Sequence, residues 1–332
     1  MLCTPYWCTP VVLVAQLLLI PVPSCAQPTP EDLPSEASVE LEAARGAPAL
    51  PLPNAPLASR SLTAYTDSTL QARLDTALAR PAWSDLIAAG DMAVGVVDLT
   101  APGVPRFAAV NGQEMMYAAS LPKIGILYAA IRQMETGTLD LSSSVQRDLQ
   151  AMIRRSSNAA ATRMIDRVGG LEAVNQALTD PSVSLYDAEQ GGGIWVGKRF
   201  SSDDRRQPDP LQGLSHAATV HQVARFYTLV ATGQLVSRER SAQMLEALSD
   251  PGLDHKFVHT LRQRAPDAEI YRKSGSWRHW HADSALVWGP RRRYVIIALV
   301  NDDRGETIIR ALVPAVEAAL SIAGPGASGH SK

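Results

Sequence analysis

The 332-residue chain has three cysteines, Cys3, Cys8 and Cys25, and all of them fall within its first 25 positions. The remainder therefore contains no disulfide framework, zinc-thiolate site or cysteine nucleophile. Neither sign of charge is in excess: 31 Lys and Arg face 33 Asp and Glu, and the pI is near 6.4. That balance gives no electrostatic reason to expect nucleic acid as a partner. No internal repeat is detectable. What the chain does have is 46% hydrophobic and 19% charged residues, the composition of a globular body that is neither disordered nor polytopic. At this length one large domain or two ordinary ones can bury a sizeable core.

The front end reads as an export signal. Val11 to Ile20 is an apolar run too short to span a bilayer, stopped by Pro21 and Pro23, and Ser24-Cys25-Ala26 supplies small residues for cleavage after Ala26. Met1 to Pro10 lacks the usual Lys or Arg. Cys25 also fits the outline of a lipoprotein site, so the expected destination is the periplasm or the exterior, with a lipid anchor at Cys25 as the alternative. Nine of the 23 prolines lie between Pro21 and Pro56. Residues 27–66 accordingly read as a Pro-rich linker, and 324–332 as a Gly/Ser-rich tail.

Residues 67–323 read as one domain. Leu70, Leu74, Ala77 and Leu78 form a helical stripe, and Met92–Leu99 and Arg106–Val110 look like paired strands. Helices are expected from Ser120 to about Thr136, between Ser142 and Leu178, from about His216 to Ala231, and over Ser237–Leu248. Three strands follow, Glu269–Ser276, Ala282–Trp288 and Tyr294–Asn301, before a closing helix from Glu306. Strands from both chain ends with helices between them predict an α+β fold, an antiparallel sheet flanked by helices with an inserted all-helical lobe. The natural binding cleft lies between lobe and sheet. Gly191–Leu214 is irregular and contains Asp203-Asp204; a loop that long inside a domain is usually functional.

Ser120-Leu121-Pro122-Lys123 places a hydroxyl and an amine three residues apart, on one helical face. A neutral Lys123 can take the Ser120 proton, provided burial and a neighbouring cation such as Lys273 lower its pKa from about 10.4. Two further motifs stand downstream, Ser156-Ser157-Asn158 in a polar loop and Lys273-Ser274-Gly275-Ser276-Trp277 on a strand.

In order and spacing these three motifs resemble those of the class A β-lactamase family and its penicillin-binding relatives, over about residues 67–323. Tyr117, three residues before the serine, sits where that family has an aromatic residue. The resemblance implies an acylated nucleophile at Ser120, a general base at Lys123, a proton relay at Ser156 and a substrate-amide contact at Asn158. It further implies that Lys273 and Ser274 hold the substrate carboxylate, that Gly275 leaves room for substrate, and that the N–H groups of Ser120 and Ser276 form the oxyanion hole. No metal or organic cofactor is implied, and a monomer acting on a β-lactam or a cell-wall-like amide is expected.

The chain also departs from the family. Class A enzymes deacylate with a glutamate in a Glu-x-x-Leu-Asn string, which is missing here. Glu189 is the candidate deacylation base, although three glycines follow it; Asp187 is a weaker one. The aspartate usual in the second motif is Ser157. Altered deacylation follows, and with it a rival: a peptidase, esterase or penicillin-binding module of the same fold with little β-lactam turnover. His216 could serve such chemistry, although a surface residue at a helix start is its simpler reading. A second rival is a zinc hydrolase using His279, His281 and Asp283, which alternation would put on one strand face. Arg291-Arg292-Arg293 reads as a solvated hairpin turn.

Overall fold

The computed structural model describes residues 48–52, 61–101, 104–201 and 205–322. The export signal, Cys25, most of the linker and the tail lie outside them. Within the described residues no helix is long and apolar enough to cross a membrane.

Two helices, α1 (Ser68–Leu78) and α2 (Pro81–Ala88), lead into β1 (Met92–Asp98) and β2 (Arg106–Val110). The short β3 (Met116–Tyr117) precedes a helical series: α3 (Lys123–Glu135), α4 (Ser143–Arg154), α5 (Asn158–Arg167) and α6 (Leu171–Thr179). β4 (Tyr186–Asp187) comes before the span read as one long loop; that span contains β5 (Gly192–Gly193) and β6 (Trp195–Val196) and is irregular over 197–201 and 205–214. Then come β7 (His216–Ala218), α7 (Val220–Ala231), α8 (Arg238–Leu248) and α9 (Phe257–Arg264). The chain closes with β8 (Glu269–Trp277), β9 (Trp280–Gly289), β10 (Arg292–Asn301) and α10 (Gly305–Ala319). The expected α+β class is what forms.

The main sheet runs β2-β1-β10-β9-β8, antiparallel throughout, so strands from the two ends of the domain meet at the β1–β10 pair. Side chains alternate across a strand, and here each alternation feeds a different core. Met92, Val94, Val96, Tyr294, Ile296 and Ala298 pack with Leu70, Leu74, Ile309 and Leu312 of α1 and α10. Ala93, Val97, Val295, Ile297 and Leu299 pack with the helical lobe, whose central helix α3 is buried along most of its length. A helix apolar all round belongs inside a core. Gly95 lets α7 approach, since a Cβ there would lie 2.2 Å from Val220 Cγ1.

The linker reading runs too far. Leu62–Tyr65 forms a 3₁₀ turn with Leu62 buried, and the Leu52 N–H donates to Ala231 O at 2.6 Å. The solvated-turn reading of the arginine triplet holds for Arg291 alone, which is exposed in the β9–β10 turn. Arg292 and Arg293 are buried at the start of β10, because Arg292 donates to the buried carboxylate of Glu317.

Candidate active site

Ser120 does not start the helix as its spacing suggests. It lies in a turn ahead of α3, where successive i to i+3 bonds join Leu121 N–H to Ala118 O, Lys123 N–H to Ser120 O, and Ile124 N–H to Leu121 O. Such a winding has about three residues per turn and eclipses positions i and i+3, so Ser120 and Lys123 still share one side. Ala119, just before the serine, has φ of 50°, and Ser156 has φ of 56°. Both are non-glycine residues in the left-handed region, a conformation that costs about 1–3 kcal/mol and persists only where the surroundings impose it.

The three motifs converge. The Lys123 amine donates to Ser156 O at 2.7 Å and to Asn158 Oδ1 at 2.8 Å, with Ser156 Oγ at 3.5 Å. The Lys273 amine donates to the same Ser156 Oγ at 2.9 Å and to Ser274 O at 2.5 Å. One hydroxyl therefore stands between two amines. β8 closes the other side: a Cβ on Gly275 would lie 2.2 Å from Ala118 O and 2.6 Å from Ser120 N. Only glycine permits this strand to press on the Ser120 turn. Ser276 follows it on the same strand, and Tyr117 packs edge-on against Trp277 and Trp280 at the strand end.

Burial sets the protonation of this cluster. Lys123 is fully buried, and burial lowers its pKa to about 7. Lys273 is pushed well below the usual lysine value by burial and then by the charge of Lys123. Of the two causes expected for Lys123, burial and a neighbouring cation, burial is the one that lowers its pKa.

Several expected residues stand elsewhere or act otherwise. Glu189 is exposed on a 3₁₀ turn whose Gln190 accepts from Ser61 Oγ, and among the described residues no hydrogen bond or ion pair joins it to the lysine cluster. Ser157 caps α5, its Oγ accepting from the Ala160 N–H at 3.2 Å. His216 is not a helix-start surface residue. It is a strand residue with 2% exposure, and its ring stacks on Phe200. The zinc set does not assemble: His279 sits in the β8–β9 turn, and the Asp283 carboxylate accepts from Arg272 Nε at 2.6 Å, Arg272 Nη2 at 2.9 Å and the Phe257 N–H at 3.1 Å. Among the described residues no group of three His, Cys, Asp or Glu is placed to hold a metal ion.

Sequence reasoning missed Lys256. This buried amine donates to Gly275 O, to Ser276 Oγ at 2.7 Å and to Ala282 O at 3.1 Å, and so pins the end of β8 beside the serine turn. Burial lowers its pKa to about 8. A single lysine between a loop and a short helix has no motif to announce it.

Comparison with known proteins agrees with this geometry. Sequence comparison with curated proteins returns no match. Among solved structures, the β-lactamase from Sphaerobacter thermophilus aligns with a TM-score of 0.55 at 22% identity, covering 77% of this chain and 98% of that one. PBP-A aligns with a TM-score of 0.55 at 19% identity, over 82% of this chain and 99% of its own. The class A β-lactamase of the last common ancestor of Gram-negative bacteria gives 0.54 at 17% identity, over 76% and 99%. These likenesses establish the fold. The model of the β-lactamase enzyme family matches residues 79–148 and 142–320, a span that includes every motif above. The chain therefore belongs to the β-lactamase enzyme family, as a divergent member with the class A fold.

Proposed function

We propose that this protein is a serine hydrolase that opens a lactam or amide bond through a covalent acyl-enzyme at Ser120. The observation that carries the reading is the Ser156 hydroxyl held between the amines of Lys123 and Lys273, beside a serine turn against which Gly275 presses. Neutral Lys123 takes the Ser120 proton as the oxygen attacks the carbonyl carbon. The N–H groups of Ser120 and Ser276 receive the developing oxyanion. The leaving nitrogen collects its proton from Ser156, which is resupplied by a neighbouring ammonium. Lys273, Ser274 and Asn158 hold the substrate carboxylate and amide. An apolar front end suited to export would deliver the enzyme to the periplasm or beyond.

The test is intact-protein mass spectrometry after mixing with benzylpenicillin, alongside hydrolysis of a chromogenic cephalosporin. The expected result is an added mass of one penicillin located on Ser120, absent from Ser120→Ala and slow to form in Lys123→Ala. An unmodified wild-type protein whose turnover survives Ser120→Ala would overturn the reading.

A further inference from the structure

Hydrolysis of an ester at Ser120 needs a water and a base to activate it. Of the carboxylates described between residues 186 and 214, Glu189 is exposed on its turn. Asp187 accepts from the Glu189 N–H and from Gln190, and Asp209 accepts from the N–H groups of Leu211, Gln212 and Leu214. What lies over Lys123 is an aromatic ring. The centroid of Phe200 is 4.4 Å from the Lys123 amine, and the same ring stacks on the His216 imidazole at 4.3 Å, with the planes 1° apart. Among the described residues neither nitrogen of that buried imidazole has a hydrogen-bond partner. A stacked pair of rings on a buried amine excludes water from it.

We propose that Phe200 closes Lys123 to the hydrolytic water, so that the acyl group on Ser120 passes to an amine acceptor in preference to water. This rests on the acyl-enzyme reading above. The acceptor enters where the leaving nitrogen departs, past Ser156, by microscopic reversibility. Its neutral nitrogen forms the new bond to the carbonyl carbon as the bond from that carbon to Ser120 Oγ breaks. The surplus amine proton goes to Ser156 Oγ, whose own proton moves to the neutral Lys123 amine 3.5 Å away, making it an ammonium. Ser120 Oγ is reprotonated by the Lys123 ammonium, and the enzyme returns to its starting state. A neutral amine attacks without prior deprotonation, whereas water loses base assistance typically worth about a hundred- to ten-thousand-fold.

The full chain is supplied with a hippuryl thioester, with and without glycinamide, and hippurate and hippuryl-glycinamide are separated and quantified. In the wild type, glycinamide should speed total turnover, and the amide should dominate the product. Phe200→Ala should raise hydrolysis at least about tenfold and lower the amide-to-acid ratio to match. It should also move the alkaline-rising limb of acylation to higher pH, because a hydrated Lys123 regains its proton affinity. Phe200→Leu should behave as the wild type. Unchanged partitioning in Phe200→Ala, while Ser120 still becomes acylated, overturns the proposal alone. So does slower wild-type hydrolysis after Asp203→Asn or Asp204→Asn, two positions outside the described residues, since the base would then reside there. A wild-type chain that never carries hippuryl on Ser120 overturns the acyl-enzyme reading itself. The glycinamide response of the wild type decides the matter even if Phe200→Ala does not fold.

Discussion

Two of the buried polar clusters among the described residues are built on opposite principles. Behind the sheet, Glu317 of α10 accepts from Arg292 Nε and Arg264, each at 2.7 Å, with the Tyr294 hydroxyl donating at 3.3 Å. Two cations share a carboxylate, and the cluster is satisfied within itself. In front of it, Lys123, Lys273 and Lys256 donate to carbonyls, hydroxyls and an amide oxygen, and none reaches a carboxylate among the described residues. Asp283, the nearest buried acid, is engaged by Arg272. A buried ion pair holds a fold in one arrangement, whereas buried amines hydrogen-bonded to neutral groups, with the Asp283 charge acting on Lys256 and Lys273 without a hydrogen bond, are the pattern found at functional sites.

The comparison breaks most visibly when single members of each cluster are removed. Ser120→Ala should reduce turnover by about ten-thousand- to a million-fold, as loss of a nucleophile does elsewhere, while leaving the melting temperature near that of the wild type. Equal activity in that variant, measured on a chromogenic cephalosporin, would separate the lysine cluster from catalysis. Lys273→Met should slow acylation by about a hundred- to ten-thousand-fold without destabilising the protein, because it removes an amine that burial disfavours. Glu317→Gln should do the reverse. It leaves Arg292 buried without its charge partner, at a cost of about 3–5 kcal/mol in denaturant unfolding, with acylation of the surviving folded fraction unaltered.

How much of this contrast the sequence displays depends on whether a residue acts in a local pattern. The α+β order, the strand pairs and the three motifs were legible because alternation, helical stripes and fixed spacings are short-range signals. The placement of Lys123 relative to Ser120 survived even the loss of the expected helix start, since a 3₁₀ winding stacks i and i+3 at least as well. Lys256 and Phe200 were not legible. Each matters through a contact with residues far away in the chain, and neither type nor neighbours mark it. His216 was misplaced because a histidine before a helix usually faces water, whereas here β7 pairs with β3 and β6 and carries it inside. The zinc reading fails on a related ground: alternation from His279 to Asp283 assumes one strand, whereas His279 lies in the turn and β9 begins only at Trp280. Arg292 looked solvated because its partner, Glu317, lies 25 positions away.

The two clusters should also respond differently to pH. Burial lowers the Lys123 pKa to about 7 in the folded chain, from 10.5 for an ordinary lysine. Below about 7 both folded and unfolded chains carry its proton, and the fold bears the full penalty of burying it. Between about 7 and 10.5 the unfolded chain holds a proton that the folded chain lacks, so stability rises with pH, at up to about 1.4 kcal/mol per unit from this group. Denaturant unfolding of the wild type and Lys123→Met across that window should show a steeper rise for the wild type. Acylation by the wild type should climb to a plateau above about pH 7 in parallel. Identical slopes in the two proteins would mean that the amine stays hydrated and is no base.

The smallest expected effect tests the middle residue of the second motif. The second residue of the Ser156-Ser157-Asn158 motif is a serine, and its hydroxyl accepts from the Ala160 N–H as the cap of α5. That cap orients the helix start on which Asn158 reaches Lys123. Ser157→Ala should cost about 1 kcal/mol of stability, the usual value of a lost N-cap. Ser157→Asp restores a capping side chain and adds a carboxylate next to the helix N-terminus, so its stability should equal or exceed that of the wild type. The decisive measurement is the acylation pH profile of the aspartate variant. If the lysine cluster lacks a compensating anion, a new carboxylate beside it should stabilise the ammonium of Lys123 and shift the rising limb to higher pH. An unmoved limb would show that the amines are already compensated and that the contrast between the two buried clusters is one of placement, not of charge.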